Sequence, residues 1–203
     1  MQIEINIPAP CEKALEILER HGYEAYLVGG CVRDSILGRE PGDWDICTNA
    51  LPEGMIAAFA DYRLVLNGLK HGTVTVCWPE GKVETTTFRR DGAYTDHRHP
   101  AQVTFTASLT EDLTRRDFTV NAMAADLRGT LYDPFGGRAD LETGILRCVG
   151  QPERRFSEDA LRILRCLRFA SVLGFAIEPA TGAALTDCRE LLRDIAPERI
   201  CEE

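Results

Sequence analysis

The distribution of strand and helix patterns along the chain most constrains its fold. Short apolar or alternating segments, broken by glycine and proline, recur up to about residue 149. After Gly150 the strand patterns stop and amphipathic helical patterns follow. Strands followed by a run of helices are typical of an α+β domain joined to a helical unit. The sequence therefore predicts an α+β domain at residues 1–149 and an all-α domain at residues 150–203.

Local patterns predict the elements of each domain. Predicted strands occupy residues 25–28, 43–48, 73–78, 82–88 and 103–106, and predicted helices occupy residues 11–20, 31–37 and 49–60. The polar stretch 89–100 predicts a mobile loop. In the second domain, helices are predicted at residues 158–173, at residues 179–192 and from residue 197 onward. Because the sequence stops inside this last helix, we expect the helical domain to be truncated.

Composition excludes several classes of protein. The chain has 203 residues, 44% of them hydrophobic, and a formal net charge of -9, so it can bury a sizeable core but lacks a basic nucleic-acid clamp. Its eight cysteines form no CxxC pair, which indicates reduced and mostly buried thiols. The sequence shows neither a secretory leader nor an apolar run long enough for a membrane helix. We therefore expect a cytoplasmic protein that does not contact membranes.

Two acidic residues, Asp43 and Asp45, are separated by one residue in a predicted strand. Residues i and i+2 of a strand face the same side, about 6.6 Å apart along the chain. Two carboxylates on one face repel each other unless cations neutralise them, and Mg²⁺ binds carboxylate and phosphate oxygens. The pair predicts a two-metal site that acts on phosphate, with Trp44 pointing the other way into the core. The DxD pattern also arises by chance, so the surrounding residues must support this prediction.

The turn after the first predicted strand supplies a possible phosphate contact. Gly29 and Gly30 allow the backbone to approach a phosphate closely, and the helix that follows offers free N–H groups. Arg33 lies one turn into this helix and can reach an anion at its start. Asp34 either positions Arg33 or suits the helix dipole as a first-turn acid. Together with the acid pair, this turn predicts a triphosphate cradle beside its metals.

A charged cluster, RRDF, occupies residues 115–118 next to an apolar stretch. One interpretation is a solvated helix end with a local ion pair of little energetic value. The other assigns Arg116 to a nucleotide and Asn121 to a polar positioning role. This cluster alone does not decide between them.

A second charged cluster combines the sequence EDALR at residues 158–162 with Arg165 and Arg168. On a continuous helix, Asp159 and Arg162 are i,i+3 neighbours, and Glu158 and Arg162 form an i,i+4 ion pair. The cluster predicts either a solvated charged face or an acceptor and a donor presented together to the edge of a base.

In their order along the chain, these motifs resemble those of class II tRNA nucleotidyltransferases, the family of bacterial-type CCA-adding enzymes and poly(A) polymerases. The resemblance spans about residues 23–200 and rests on LVGGCVRD (27–34), DWD (43–45), RRDFTVNA (115–122), DPFGG (133–137) and EDALR (158–162). It implies a polymerase-β-like head domain, in which helices flank a mixed sheet, followed by an all-α neck that selects the nucleotide. It also implies CTP and ATP as substrates, Mg²⁺ as cofactor and a tRNA 3′ end as acceptor.

The resemblance further implies roles for individual residues. Asp43 and Asp45 match the catalytic metal ligands of the family. Nucleotide contacts are matched by Gly30, Arg33, Arg116, Asp159, Arg162, Arg165 and Arg168. Among these, Asp159 and Arg162 match the pair that templates the incoming base. Accessory roles are expected for Gly29, for Asn121 and for Glu84, the last as a third acidic residue near the metals.

Two features bear on activity within the family. Family members are about twice as long, with body and tail domains that hold the tRNA, so we expect this chain alone to bind tRNA poorly. The sequence DGAYTDHRHP at residues 91–100 resembles a flexible loop that CC-adding members lack, which favours CCA or A addition. Its His97 and His99 lack a carboxylate or cysteine at ligand spacing, so we expect polar loop residues rather than metal ligands.

Three alternatives stay open from the sequence. Poly(A) addition or A-only addition uses the same motifs. A nucleotide-binding module without catalysis would keep the same cradle, and truncation could abolish activity. A generic α+β structural domain would bind neither nucleotide nor metal through Asp43.

Overall fold

The chain begins with short strands and helices in alternation and becomes mainly helical towards its end. The computed structural model describes residues 1–92 and 103–203. The strands are β1 (Ala25–Val28), β2 (Asp45–Thr48), β3 (Arg63–Val65), β4 (Thr73–Trp78), β5 (Gly81–Thr87), β6 (Arg89–Asp91), β7 (Val103–Phe105), β8 (Ala124–Ala125), β9 (Leu131–Tyr132), β10 (Ile145–Leu146) and β11 (Ala176–Ile177). The α-helices are α1 (Ala9–Arg20), α2 (Gly30–Ile36), α3 (Pro52–Ala58), α4 (Leu109–Thr114), α5 (Gly137–Thr143), α6 (Pro152–Glu158), α7 (Leu161–Leu173), α8 (Pro179–Cys188) and α9 (Pro197–Glu202). Short 3₁₀ helices occupy Leu69–His71, Thr119–Asn121 and Arg189–Asp194.

A mixed sheet of seven strands forms in the spatial order β3-β4-β5-β2-β1-β8-β9. The neighbours β2 and β5 are parallel, whereas every other neighbouring pair in this sheet is antiparallel. The predicted hairpin of β4 and β5 is confirmed, with its turn at Pro79-Glu80. The sheet and the helices that flank it confirm the predicted α+β class.

One face of the β4–β5 hairpin belongs to the core. Val74, Val76 and Val83 are fully buried, while the residues between them are partly or fully exposed. Trp78, on the same face, contacts the rings of Phe59 and Tyr62 just after α3. Each buried aliphatic or aromatic side chain of this kind stabilises the fold by about 1.5–3 kcal/mol. The opposite face of the hairpin is left open to solvent.

The chain divides into two compact units. The first comprises Met1–Arg90, Phe105–Leu113 and Met123–Pro134 and contains the whole seven-stranded sheet. The second comprises Asp91–Thr104, Thr114–Ala122 and Phe135–Glu203 and contains helices α5 to α9. The domain boundary between residues 149 and 150 stays a prediction. Within the described residues, no helix has both the length and the apolar character needed to cross a membrane.

The structure differs from the sequence-based elements in several places. The stretch predicted as loop from residue 89 starts with β6, and residues 93–100, with His97 and His99, lie outside the described residues. The region after Gly150 is helical as predicted, except for β11, which pairs in parallel with β10. The patterns missed β3, β8, β9 and β10, each only two or three residues long. Such short strands show no measurable alternation, so their existence depends on pairing partners that are distant in sequence.

Two glycines with positive φ give a test of local backbone strain. Gly129 has φ 77°, and a Cβ there would lie 2.4 Å from the carbonyl oxygen of Ile3. Gly22 has φ 82°, and a Cβ there would meet no atom within 4 Å. We expect Gly22→Ala to cost about 1–2 kcal/mol of unfolding free energy from strain alone. Gly129→Ala should cost more, because a backbone clash is added. Urea unfolding of both variants provides the measurement, and equal losses would contradict the clash.

Candidate active site

The acid pair lies at the start of β2. Asp45 is the first residue of the strand, Asp43 precedes it by two residues, and both are exposed. The predicted strand from residue 43 is therefore too long. Val28, the partner of Asp45, is the last residue of β1, and the chain turns into α2 directly after it. Asp43 and Trp44 consequently have no ladder partner on that side.

Trp44 is half-buried rather than inserted into the core, so its predicted burial is wrong. It lines a cleft of about 430 Å³ together with Ser35, Arg39 and Pro41. The segment that carries Trp44 lies outside the ladder, so its indole faces a surface cleft formed with the end of α2 and the residues that follow it.

Glu84 lies directly opposite Asp45 in the parallel register of β2 and β5. Paired residues of neighbouring strands project from the same face, so both carboxylates belong to the open face of the sheet. Among residues 1–92 and 103–203, no group of three or more His, Cys, Asp or Glu side chains is arranged to hold a metal ion. Only the strand register places Glu84 near Asp45, and its role as a third acidic residue near the metals stays a prediction.

Asp43 and Asp45 fit a divalent metal that arrives with a phosphate substrate. Mg²⁺ is usually held by one or two carboxylates together with substrate phosphates, rather than by a cage made only of protein groups. Two exposed carboxylates beside an open sheet face match that donor set, and Asp43 has no hydrogen bond or ion pair among the described residues.

Two buried thiols lie near Asp45. Burial raises the pKa of Cys31 to about 11, and the negative charge of Asp45 acts in the same direction. Burial likewise raises the pKa of Cys11 to about 11, with smaller contributions from Cys31 and Asp45. Both thiols are therefore protonated at neutral pH and do not act as thiolate ligands. This agrees with the predicted reduced thiols, since all eight cysteines are free.

The glycine pair forms the turn from β1 into α2. Gly29 has φ 82°, which favours glycine, and its N–H donates to the carbonyl oxygen of Met123 at 3.2 Å. A Cβ on Gly30 would lie 3.6 Å from Arg33 Nη2, so the guanidinium lies over this turn. Arg33 donates from Nε and Nη2 to the two carboxylate oxygens of Asp34, both at 2.9 Å. The predicted positioning of Arg33 by Asp34 is confirmed.

The second unit contains a buried ion pair that sequence reasoning missed. Arg165 donates from Nε and Nη2 to Oδ2 of Asp117 at 2.9 and 2.7 Å. Asp117 is 7% exposed, and its Oδ1 accepts from the Phe118 N–H at 2.8 Å and from Asn121 Nδ2 at 3.2 Å. Burial alone would raise the pKa of Asp117, but the charge and hydrogen bonds of Arg165 outweigh it and lower this pKa. The only sequence pattern that indicated a buried Asp117 is its position directly before the apolar run that begins at Phe118.

Arg116, the predicted nucleotide contact, and Asn121, the predicted accessory residue, lie in different environments. Asn121 is buried and donates a hydrogen bond to Asp117, so it helps to position the Asp117–Arg165 pair. Arg116 is half-buried. The neighbouring Arg115 supplies its carbonyl oxygen to Arg162 Nη2 at 3.1 Å.

The cluster EDALR does not lie on one helix: the helix predicted at residues 158–173 is present, but it begins at Leu161, so its predicted start is wrong. Helix α6 ends at Glu158, Asp159 adopts an extended conformation with φ -142° and ψ 103°, and α7 begins at Leu161. Asp159 Oδ1 accepts from the Leu161 N–H at 3.0 Å, as a carboxylate does at a helix start. Because Asp favours such positions over helix interiors, the helix breaks here, and the predicted i,i+3 geometry of Asp159 and Arg162 does not occur.

Arg162 is 7% exposed and is held by three acceptors. Its Nη1 donates to Glu158 Oε2 and to the Arg155 carbonyl oxygen, and its Nη2 to the Arg115 carbonyl oxygen, each at 3.1 Å. The predicted Glu158–Arg162 pair therefore forms, but across the helix break. A free, solvated arginine is excluded at this position.

Arg165 and Arg168 both lie over the ring of Phe169, at 5.3 and 4.5 Å from its centroid. Arg168 donates to Glu203 Oε2 at 2.7 Å, and Glu203 also pairs with Arg165 at 3.4 Å. Burial raises the pKa of Asp159, although the charge of Arg162 opposes this shift. The second unit thus presents an acid and several arginines in fixed orientations.

Comparisons with known proteins show the family to which the chain belongs. The family described as the poly A polymerase head domain matches residues 25–147, and the one described as a probable RNA and SrmB- binding site of polymerase A matches residues 174–203. The chain is 51% identical over 197 residues to a CCA-adding enzyme of Geobacillus stearothermophilus, covering 96% of this chain and 48% of the relative. The chain therefore spans about half the length of the curated relatives it matches.

Two solved structures are similar to the chain. One is the Bacillus stearothermophilus CCA-adding enzyme in complex with CTP, with a TM-score of 0.86 and 47% identity over 95% of this chain and 47% of that one. The other is a tRNA nucleotidyltransferase complexed with a primer tRNA and an incoming ATP analog, with a TM-score of 0.73 and 34% identity over 92% and 53%. The fold is thus that of a polymerase-β-like nucleotidyltransferase head followed by a helical region. The chain belongs to the poly A polymerase head domain family. Nucleotidyltransferases of this kind generally use a divalent metal.

The Asp117–Arg165 pair should contribute to the stability of the second unit. We expect Asp117→Asn to cost about 1.5–3 kcal/mol, because the buried carboxylate that accepts two hydrogen bonds from the half-buried Arg165 loses its charge. Since the pKa of Asp117 is lowered, this contribution is present above the pKa of the unfolded carboxyl. It is lost as the pH falls through the lower pKa of the folded state.

Urea unfolding between neutral and acidic pH measures this effect. The control is Glu190→Gln, which breaks the exposed ion pair with Arg193 and should cost less than about 1 kcal/mol. The stabilising role of the Asp117–Arg165 pair would be contradicted if Asp117→Asn lost as little unfolding free energy as the control. It would also be contradicted if this loss did not become smaller at acidic pH.

Proposed function

We propose that this chain is the catalytic part of a CCA-adding tRNA nucleotidyltransferase. It would add C and A to the 3′ end of tRNA from CTP and ATP. The observation that carries the proposal is the acid pair Asp43 and Asp45 beside the Gly29–Gly30 turn, in a chain 51% identical over 96% of its length to a CCA-adding enzyme. The expected location is cytoplasmic.

Asp43 and Asp45 would bind Mg²⁺ in the first unit. When bound, this ion supplies Lewis-acid stabilisation of the charge on the α-phosphate and lowers the pKa of the attacking hydroxyl. Gly29 and Gly30 let the triphosphate approach the backbone, and Arg33, oriented by Asp34, balances its negative charge.

The reaction is nucleotidyl transfer. The tRNA 3′-hydroxyl oxygen forms a bond to the α-phosphorus of CTP or ATP, and the bond from this phosphorus to the bridging oxygen of the β-phosphate breaks. Pyrophosphate leaves, and the hydroxyl proton passes to solvent. The chain's own contribution is to orient the two reactants and to balance their charge.

Nucleotide selection would belong to the second unit. We propose that Asp159 and Arg162 recognise the polar edge of the base, and that Arg116, Arg165 and Arg168 contact the nucleotide. The fixed orientation of Arg162 by Glu158 and two carbonyl oxygens supports a recognition role, because a held guanidinium discriminates between bases more sharply than a mobile one. Asn121 and Asp117 would act indirectly, through Arg165.

The relatives favour CCA addition over the alternatives within the family. Curated relatives that are 51% and 52% identical to the chain are named CCA-adding enzymes rather than poly(A) polymerases. A direct test incubates the protein with tRNA that ends before its CC, using labelled CTP and ATP separately and together. Product length distinguishes CCA, CC-only, A-only and poly(A) addition, and a chain that binds CTP without extending RNA would be a nucleotide-binding module.

Removal of either acid should abolish transfer without unfolding the chain. We expect Asp43→Asn and Asp45→Asn each to lower the transfer rate by roughly a thousandfold or more, because several kcal/mol of metal-dependent stabilisation are lost. Asp61→Asn, at another exposed acid of the first unit, is the matched control and should be neutral. Gel assays of primer extension measure the transfer rate, and circular dichroism checks that each variant is folded. A transfer rate equal to that of the wild type in either variant would refute the metal site.

Base selection should depend on Asp159. We expect Asp159→Ala to reduce the preference for CTP and ATP over GTP and UTP by about tenfold or more, since a paired edge contact contributes about 1–3 kcal/mol of discrimination. Asp187→Ala, at an exposed acid of α8, serves as control. Arg162→Ala should have the same effect on selectivity but should also lower stability, because its buried partners lose their donor. Unchanged ratios of kcat/KM for the four nucleotides would exclude this role.

A further inference from the structure

The register of the sheet places two basic residues on the same face as Asp45. Arg63 on β3 pairs with Cys77 on β4, and Cys77 pairs with Lys82 on β5, so these three side chains form one row. The next row of the same face contains Thr75, Glu84 and Asp45. Because side chains alternate between the faces, both rows project from the open face.

Exposure confirms this assignment. Lys82 and Glu84 are exposed, whereas Val83 between them is buried in the core, and Arg63 at the edge of the sheet is exposed as well. We refer to Arg63, Cys77 and Lys82 as the basic row. It borders the acid pair on the side of β5, with Lys82 on the strand next to β2.

Among the residues that the structure describes, neither cation of the basic row has a partner. Within residues 1–92 and 103–203, the side chains of Arg63 and Lys82 form no ion pair and no hydrogen bond. Acidic residues outnumber basic ones by 32 to 23, so carboxylates for pairing are abundant in this chain. Two unpaired cations in one row of an acidic protein match a polyanion more closely than a protein partner.

The topology separates the two sides of Asp45. The Gly29–Gly30 turn follows β1, which flanks β2 on one side, while β5, β4 and β3 extend on the other side. In nucleotidyl transfer the attacking oxygen and the leaving pyrophosphate lie on opposite sides of the α-phosphorus. If the triphosphate occupies the β1 side, in-line attack favours an approach of the RNA from the β5 side, where the basic row lies.

We propose that the basic row binds the phosphodiester backbone of the RNA acceptor just upstream of its 3′-hydroxyl. This inference deepens the proposed function and rests on it. Strand spacing places the Cα of Lys82 about 8 Å from that of Asp45 and about 10 Å from that of Arg63, within reach of successive phosphates of a single strand. Arg63 and Lys82 are thus positioning residues for the acceptor and do not contact the reacting atoms.

The test measures RNA and nucleotide binding separately on the whole chain. The variant is Arg63→Gln with Lys82→Gln, which keeps a polar side chain at each position and removes both charges. The matched control is Lys13→Gln, an exposed lysine on α1, outside the sheet. Fluorescence anisotropy with a short single-stranded RNA bearing a free 3′-hydroxyl gives the RNA affinity over a series of salt concentrations, and CTP affinity is measured by calorimetry.

We expect the double variant to bind the RNA roughly tenfold more weakly, with a slope of log K against log salt smaller by about 1.4, because two phosphate contacts to a single strand are lost. CTP affinity and the behaviour of the control should match the wild type. An unchanged RNA affinity and slope, a loss confined to CTP, or no RNA binding by the wild type would each overturn the proposal. If the wild-type chain bound RNA through these charges but did not transfer nucleotides, the proposed function would be refuted and the RNA-binding role of the basic row would stand.

Discussion

The parallel pairing of β2 with β5 is the constraint on which the placement of the acid pair in the sheet depends. It sets Asp45 opposite Glu84 and fixes which side of the acid pair leads to the glycine turn and which to the open hairpin. A parallel pair cannot be closed by a tight turn, so α3, β3 and β4 fill the connection between the two strands. The same connection buries Val74 and Val76 and thereby holds the hairpin against its helices.

The charged side chains differ in their exposure to solvent between the two units. In the first, Asp43 and Asp45 are exposed at a strand start and are suited to ions and substrates that arrive from solvent. In the second, Asp117 and Arg162 are buried, Arg165 is half-buried, and all three are bound by carboxylate, guanidinium or backbone carbonyl groups. Buried pairs of this kind contribute little net stability compared with apolar packing, but they restrict each guanidinium to one orientation. Restricted orientation is what recognition of a base edge requires.

The sequence predicted residue types and their neighbours better than it predicted geometry. The strand at residues 25–28, the β4–β5 hairpin and the Arg33–Asp34 pair follow from local patterns, because each depends on residues close in the chain. The break at Asp159 was missed because helical periodicity continues on both sides of it, while the capping hydrogen bond to Leu161 depends on one side-chain conformation. The partnership of Asp117 with Arg165 joins residues 48 positions apart and has no local pattern.

The alternating register of the hairpin also limits how this part of the molecule can evolve. Substitutions at the open positions of β5, such as Lys82 and Glu84, leave the packing of Val83 untouched. A change in length of one residue within the strand has a different effect, because it moves every following side chain to the opposite face. The packing of the hairpin therefore tolerates changes of side chain at these positions but not a change in spacing. Divergence among such chains is accordingly expected as replacements in these strands, with insertions confined to the turns.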